Sequence, residues 1–192
     1  IVFGKVVSGR NAILRGIENM VGLFINTIPV RVTTEKETTV TELLKKQQKQ
    51  AAESTNYDYC SLADIQNLTS QGSDLLKVLY VFENYTSGAD DENDNQLTGI
   101  RIDKSREQTS YSLSISGYEL NNKLSFDLMY NPNEFCSDEI YLILNRLAKV
   151  CEKMAENPEK RVSEIETVTE KERTQILSEF NATEAEYPRE KT

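Results

Sequence analysis

The residues able to do chemistry are limited first by an absence. None of the 192 residues is histidine, the side chain whose unperturbed pKa lies nearest neutrality. Ser-His-Asp, Cys-His and His-metal chemistry are therefore excluded within this chain. Cys60, Cys136 and Cys151 are an odd, widely spaced set with no CxxC, which indicates neither a disulfide framework nor a zinc site and suits a reduced, cytoplasmic protein. Asp90, Asp91, Glu92 and Asp94 have the oxygens to ligate a hard cation. Counting Asp90 as the first position of an EF-hand, however, puts Asn95 where glycine is needed and Arg101 where the bidentate glutamate belongs. That run is expected to be a solvated loop, and no metal site is expected. Asn67-Leu68-Thr69, Asn84-Tyr85-Thr86 and Asn181-Ala182-Thr183 match the glycosylation acceptor pattern, but no secretion signal gives them chemical force and they are read as chance.

Two stretches remain. Val6-Val7-Ser8-Gly9-Arg10 ends a strand with small residues and a charge, a place where backbone can approach a ligand closely. Asn26-Thr27 lies amid Phe24, Ile25 and Ile28. An amide in so apolar a strand finds hydrogen-bond partners or costs about a few kcal/mol. It either faces a ligand or pins a neighbouring loop. The charge balance, 22 basic against 31 acidic residues and net −9, repels phosphate backbones and anionic headgroups, so nucleic acid is not an expected partner. The longest apolar stretches, 21–25 and 78–82, are far short of the roughly 20 residues of a membrane helix, and no membrane partner is expected. The chain opens at Ile1 inside an apolar run, without initiator Met or signal peptide, so it is expected to be cut from something larger.

The elements that must position these residues follow from periodicity. Residues 1–8 are rich in β-branched side chains and end at Gly9, predicting a buried strand and a turn. Residues 24–32 are apolar enough for an interior strand, yet Pro29 cannot donate to a ladder and belongs at a strand end, bulge or edge. Thr39 and Glu42 have capping-box spacing, opening a helix with Val40, Leu43, Leu44, Gln47 and Ala51 as its apolar stripe. Residues 76–82 read as a strand, 87–96 as a mobile loop and 97–102 as another strand. Tyr111, Leu113 and Ile115 alternate, as do Leu124, Phe126 and Leu128, and the pair of strands separated by Asn121-Asn122 is predicted to be a hairpin. Ser137 is expected to cap a long helix, apolar at Ile140, Ile143, Leu144, Leu147, Val150, Cys151 and Met154 and ended by Pro158. Thr169 and Glu172 open a short one with Ile176, Leu177 and Phe180 as its apolar side, and a polar linker follows. The irregular alternation favours a mixed α/β sandwich.

Val7-Ser8-Gly9-Arg10, followed by Val21-Gly22-Leu23-Phe24-Ile25-Asn26-Thr27-Ile28-Pro29-Val30-Arg31, resembles the condensation domains of nonribosomal peptide synthetases. Asn56-Tyr57-Asp58-Tyr59-Cys60-Ser61-Leu62 resembles the next family motif, (H/N)QDYPFE, with Tyr57 for Gln and the last three positions divergent. Leu75-Leu76-Lys77-Val78-Leu79-Tyr80-Val81-Phe82-Glu83-Asn84-Tyr85 resembles the strand beyond it. The motif RDxSRNPL is degenerate here, as Ser70-Gln71-Gly72-Ser73-Asp74-Leu75. Leu177-Ser178-Glu179-Phe180-Asn181-Ala182-Thr183, with Tyr187-Pro188, is similar to the linker into an adenylation domain.

The resemblance covers nearly the whole chain. It implies an α/β fold, a chloramphenicol-acetyltransferase-like sandwich of a mixed sheet with flanking helices, present here as a partial lobe. Residues 1–166 would be the C-terminal portion of the condensation domain and 167–192 the helix and linker toward an adenylation domain. In the family two such lobes form a V and the HHxxxDG motif precedes this segment. The implied parent reaction is attack by the amine of a carrier-bound aminoacyl thioester on an upstream donor thioester. No cofactor would bind directly, because both substrates arrive on phosphopantetheine arms of upstream and downstream peptidyl carrier domains. By resemblance Ser8, Gly9 and Arg10 lie near the tunnel between lobes, Asn26 faces it, and Gly22 and Phe24 shape the neighbouring backbone. Asp58 and Tyr59 would hold their own loop, and no catalytic residue is assigned. Heterocyclization and epimerization homologues share the fold, the linker speaking against the latter. A non-catalytic docking module that buttresses the adenylation domain through residues 179–192 is the alternative of another class. A truncated lobe exposes apolar surface, so self-association is expected.

Overall fold

In a computed structural model, the structure describes residues 1–10, 14–83, 108–120 and 122–184. The expected loop 87–96, the expected strand 97–102, the acidic run beginning at Asp90, the acceptor pattern at Asn84 and the end of the linker lie outside these residues.

The strands are β1 (Val2–Val7), β2 (Asn26–Arg31), β3 (Val78–Glu83), β4 (Leu113–Leu120) and β5 (Lys123–Tyr130). They form one sheet in the order β2-β1-β3-β4-β5. The pairs β1/β2 and β4/β5 are antiparallel, whereas β1/β3 and β3/β4 are parallel, so a hairpin-like pair flanks each side of a parallel centre. Pro29, opposite Gly4, is tolerated because β2 is an edge strand whose far side needs no donor. Leu120 opposite Lys123 leaves a two-residue turn, and Asn122 adopts φ 61° there, a conformation Asn accepts more readily than most residues.

Helix α1 (Val40–Ser54) opens on the expected capping box: the Thr39 hydroxyl accepts from the Glu42 N–H at 3.2 Å and Glu42 accepts from the Thr39 N–H at 2.9 Å. Its first residue, Val40, is fully buried. Val40 N–H donates to the Lys160 carbonyl and Val162 N–H to the Thr38 carbonyl, tying the start of α1 to the chain beyond the long helix α3 (Ser137–Glu156). Between them run a short helix α2 (Leu62–Asn67) and the strands; α4 (Glu170–Thr174) continues into a π turn, Gln175–Glu179. The buried apolar centre comprises Val7, Ile17, Ile28, Val40, Leu76, Leu113 and Ile140. Every apolar residue named for the long helix is buried or half-buried, as a stripe packed on a sheet requires.

Five expectations are corrected. Residues 24 and 25 precede β2, which begins at Asn26. Leu44 is exposed, whereas Val40 is buried and Leu43, Gln47 and Ala51 are half-buried on the face of α1 turned to the protein. Leu124 is exposed, near the free tip of the β4/β5 hairpin. Ser137 does not cap α3. Cys136 does, with extended backbone at φ −94°, its thiol accepting from the Glu139 N–H and its own N–H donating to the Glu139 carboxylate at 2.8 Å, while the Ser137 hydroxyl is 3.1 Å from the Tyr130 hydroxyl. Finally, Ile176, Leu177 and Phe180 face solvent, since what holds this segment to α3 is polar. Glu172 accepts from the Thr169 N–H at 2.8 Å, from its hydroxyl at 2.9 Å and from Arg146 Nε at 2.9 Å, and Lys149 donates to the Val168 carbonyl.

Candidate functional site

The end of β1 and the approach to β2 are locked together backbone to backbone. Gly9 has φ +65°, and a Cβ there would lie 1.7 Å from the Phe24 carbonyl oxygen, so only glycine fits this turn. One residue on, the Arg10 guanidinium donates through one nitrogen to the carbonyls of Ile17 at 2.8 Å and Met20 at 3.0 Å. Its centre stands 4.5 Å from the centroid of the Phe24 ring, a cation–π distance. Gly22 leaves room for that ring: a Cβ would lie 3.2 Å from its Cε2. The Ser8 hydroxyl accepts from the Arg10 N–H at 3.4 Å and is otherwise exposed.

Asn26 engages a neighbouring loop through its amide nitrogen. Its Nδ2 donates to the carbonyls of Asp58 at 2.8 Å and Cys60 at 2.7 Å, so the amide pins the loop that follows α1. Both amide hydrogens are thereby used, and Oδ1 has no partner among the described residues. Asp58 is buried at 5 % exposure, whereas Tyr59 is exposed.

These contacts shape an open cleft of about 610 Å³. Gly9, Phe24, Asn26, Asp58 and Tyr59 line it, together with Leu14, Ile17, Leu23 and Ile25. Of the six sequence-derived site residues, three form its wall; Arg10 and Gly22 brace Phe24 from behind, and Ser8 stays outside. Leu14, Ile17 and Leu23 were not foreseen, because they sit in an irregular connector where no periodicity marks a face. Asp58 is the only carboxylate lining the cleft among the described residues, and no group of three His, Cys, Asp or Glu side chains able to hold a metal occurs among them. No described helix is long and apolar enough to cross a membrane. Chemically, the cleft offers an apolar concavity, backbone edges and one amide oxygen uncommitted among the described residues, the means to orient a reactant.

The chain is similar to several very long proteins. It is 39 % identical over 197 residues to bacitracin synthase 3 of Bacillus licheniformis, and 41 % identical over 194 residues to tyrocidine synthase 3 of Brevibacillus parabrevis, matching all of this chain and 3 % of each of those proteins. Among solved structures, the first condensation domain of the CDA synthetase superposes with a TM-score of 0.66 at 13 % identity, covering 88 % of this chain and 38 % of that one. The teicoplanin X-domain in its complex with OxyB gives 0.69 at 20 %, with the same coverage. These superpositions bear out the acetyltransferase-like α/β fold. The model of the family described as "Condensation domain" matches residues 1–177, and with the similarity to these synthases this places the chain in the condensation-domain family of nonribosomal peptide synthetases.

Proposed function

We propose that this chain forms one wall of the substrate tunnel of a peptide-bond-forming condensation domain, and that residues 167–192 lead toward an adjacent adenylation domain. The supporting observation is the clasp of Gly9 and Arg10 on Phe24, which holds Asn26 at the cleft with an uncommitted Oδ1. In the proposed reaction the amine nitrogen of a carrier-bound aminoacyl thioester attacks the carbonyl carbon of the donor thioester. The C–S bond breaks and the amide forms, while a base takes the proton from the attacking nitrogen and passes it to the departing sulfur, which leaves as a thiol. Both reactants are substrates presented on phosphopantetheine arms by upstream and downstream peptidyl carrier domains. Asn26 Oδ1 is suited to accept from the attacking amine, orienting its lone pair, and the apolar walls exclude competing water. With no histidine in the chain, the base belongs to the part of the domain outside it, and the chain alone is expected to be inactive. The exposed Ile176, Leu177 and Phe180 support a contact with the adenylation domain. A cytoplasmic setting completes the proposal.

The test is Asn26→Ala in the complete synthetase module that carries this chain. Dipeptide formation is expected to fall about 10- to 100-fold, the scale of a misplaced reactant, while adenylation and carrier loading are unchanged. An unchanged dipeptide rate in a normally folded variant removes Asn26 from the site.

A further inference from the structure

The connector leading into β2 supplies Leu14, Ile17, Leu23, Phe24 and Ile25 to the cleft, yet little of it is fastened to the rest of the protein. Among the described residues its backbone hydrogen bonds stay inside it: the N–H groups of Ile17, Asn19 and Met20 donate to the carbonyls of Leu14, Gly16 and Ile17 at 3.2, 3.0 and 3.2 Å. Of residues 14–25 only Ile17 is buried, while Leu14, Met20, Val21, Leu23 and Ile25 are exposed. A segment with so little apolar burial and no backbone bond to the sheet opens at low cost. Another contact must hold its cleft residues in place.

Arg10 supplies it. Among the described residues, the only hydrogen bonds that reach residues 14–25 from outside come from its guanidinium, where one nitrogen donates to the carbonyls of Ile17 and Met20. These are the first residue and the C-cap of the short 3-10 turn Ile17–Asn19, so a single side chain closes over the end of the turn, where carbonyls lack partners of their own. Further along, the same guanidinium lies against the Phe24 ring. Arg10 thus grips the connector at residues 17, 20 and 24, whereas the close approach of Gly9 to the Phe24 carbonyl fixes only its far end. A planar guanidinium can bridge two carbonyls and stack on a ring at once, which a compact ammonium cannot. Arg10 itself does not line the cleft, so its action on a molecule bound there runs through the connector.

We propose that Arg10 is a positioning residue: it holds the connector as a wall of the cleft and thereby sets how tightly the aminoacyl acceptor binds. The proposal rests on the reading of the cleft as part of the substrate tunnel. It is tested with Arg10→Ala and Arg10→Lys in the complete synthetase module that carries this chain. Two quantities are measured, deuterium uptake and the KM and kcat of dipeptide formation. The varied acceptor is the pantetheine thioester of the amino acid that the module activates. A connector held in place for only a fraction of the time lowers apparent affinity by that fraction. Arg10→Ala is therefore expected to raise the acceptor KM about tenfold, with kcat within about threefold, and to speed uptake in residues 14–25 about tenfold while β1 and β4 exchange as in the parent. Arg10→Lys should fall between the two, and methylguanidinium added to Arg10→Ala should return KM toward the parent value where methylammonium does not. Unchanged uptake in residues 14–25 overturns the proposal by removing the tether, and so does uptake that rises across the whole sheet, which makes Arg10 a matter of global stability. A fall in kcat with KM unmoved overturns it by assigning Arg10 to the reacting groups. Faster uptake in the connector with KM and kcat both unmoved leaves the tether standing, takes the cleft off the substrate path, and so overturns the tunnel reading together with the role of Arg10 in the reaction.

Discussion

Gly9 and Gly16 separate two costs that a glycine can avoid. Both have positive φ, +65° and +85°, but a Cβ at Gly16 meets nothing within 4 Å whereas one at Gly9 collides with the Phe24 carbonyl. Gly16→Ala is expected to cost about 1–2 kcal/mol, the left-handed backbone penalty alone. Gly9→Ala adds a backbone clash that only movement of the β2 approach relieves, and is expected to exceed about 3 kcal/mol. Chemical denaturation of the two variants measures the difference, and equal losses would refute the close approach. The same scale governs pH dependence at Glu172. Its carboxyl is lowered from 4.5 to about 2, chiefly by the hydrogen bond from Arg146, then by the Thr169 N–H. Because the folded pKa lies below the unfolded one, its stabilisation is complete above about pH 4.5 and is lost as pH falls through about 2. The stability gap between the parent and Glu172→Gln should therefore close between those values in acid unfolding; a gap that persists at pH 2 rules out the carboxylate as its source.

At the level of elements, local signals were legible where the partners lie within one turn. The Thr39 and Thr169 capping boxes and the hairpin at Asn122 are contacts between residues one to three apart, and the chain carries both members. Cys136 was missed because the serine beside it is the commoner cap, yet the Glu139 carboxylate reaches back three residues from N3 to the N–H of Cys136. Replacing the weak thiol acceptor by a hydroxyl should strengthen the cap, so Cys136→Ser is expected to gain up to about 1 kcal/mol while Ser137→Ala stays within about 0.5 kcal/mol. Thermal unfolding of both variants decides between the two caps, and the opposite ranking returns the role to Ser137. Long-range order was less legible. The parallel pairing of β1, β3 and β4 joins segments far apart in sequence, which alternation alone cannot specify. The site divides along the same line. Gly9 and Asn26 announce themselves as a small residue at a strand end and an amide in an apolar run, whereas the partners of Arg10 are backbone carbonyls, which have no residue signature.

Across the whole molecule, seven apolar side chains are buried among the described residues while seventeen large apolar or aromatic ones are exposed. Single exposed apolar residues are ordinary, but contiguous ones mark contact surfaces. Val21, Leu23 and Ile25 stand at 104 %, 90 % and 65 % exposure on the connector leading into β2, and Leu23 and Ile25 also line the cleft. Both outer strands carry features that discourage edge pairing: Pro29 in β2, and Lys123 and Asp127 in β5. Association of the chain by itself should therefore proceed through the connector rather than through the sheet edges. Sedimentation velocity on the 192-residue chain is expected to show dimers or larger species whose population rises with concentration. The paired replacement Val21→Ser with Leu23→Ser should return the monomer, because it removes the two most exposed members of the patch without touching the Gly9–Phe24 lock. Lys123→Val, which strips a charge from the outer strand, should leave the distribution nearly unchanged if the edges are not the contact. A clean monomer for the parent chain at high concentration counts against any self-complementary patch, and a monomer restored only by charging β5 moves the contact to the sheet.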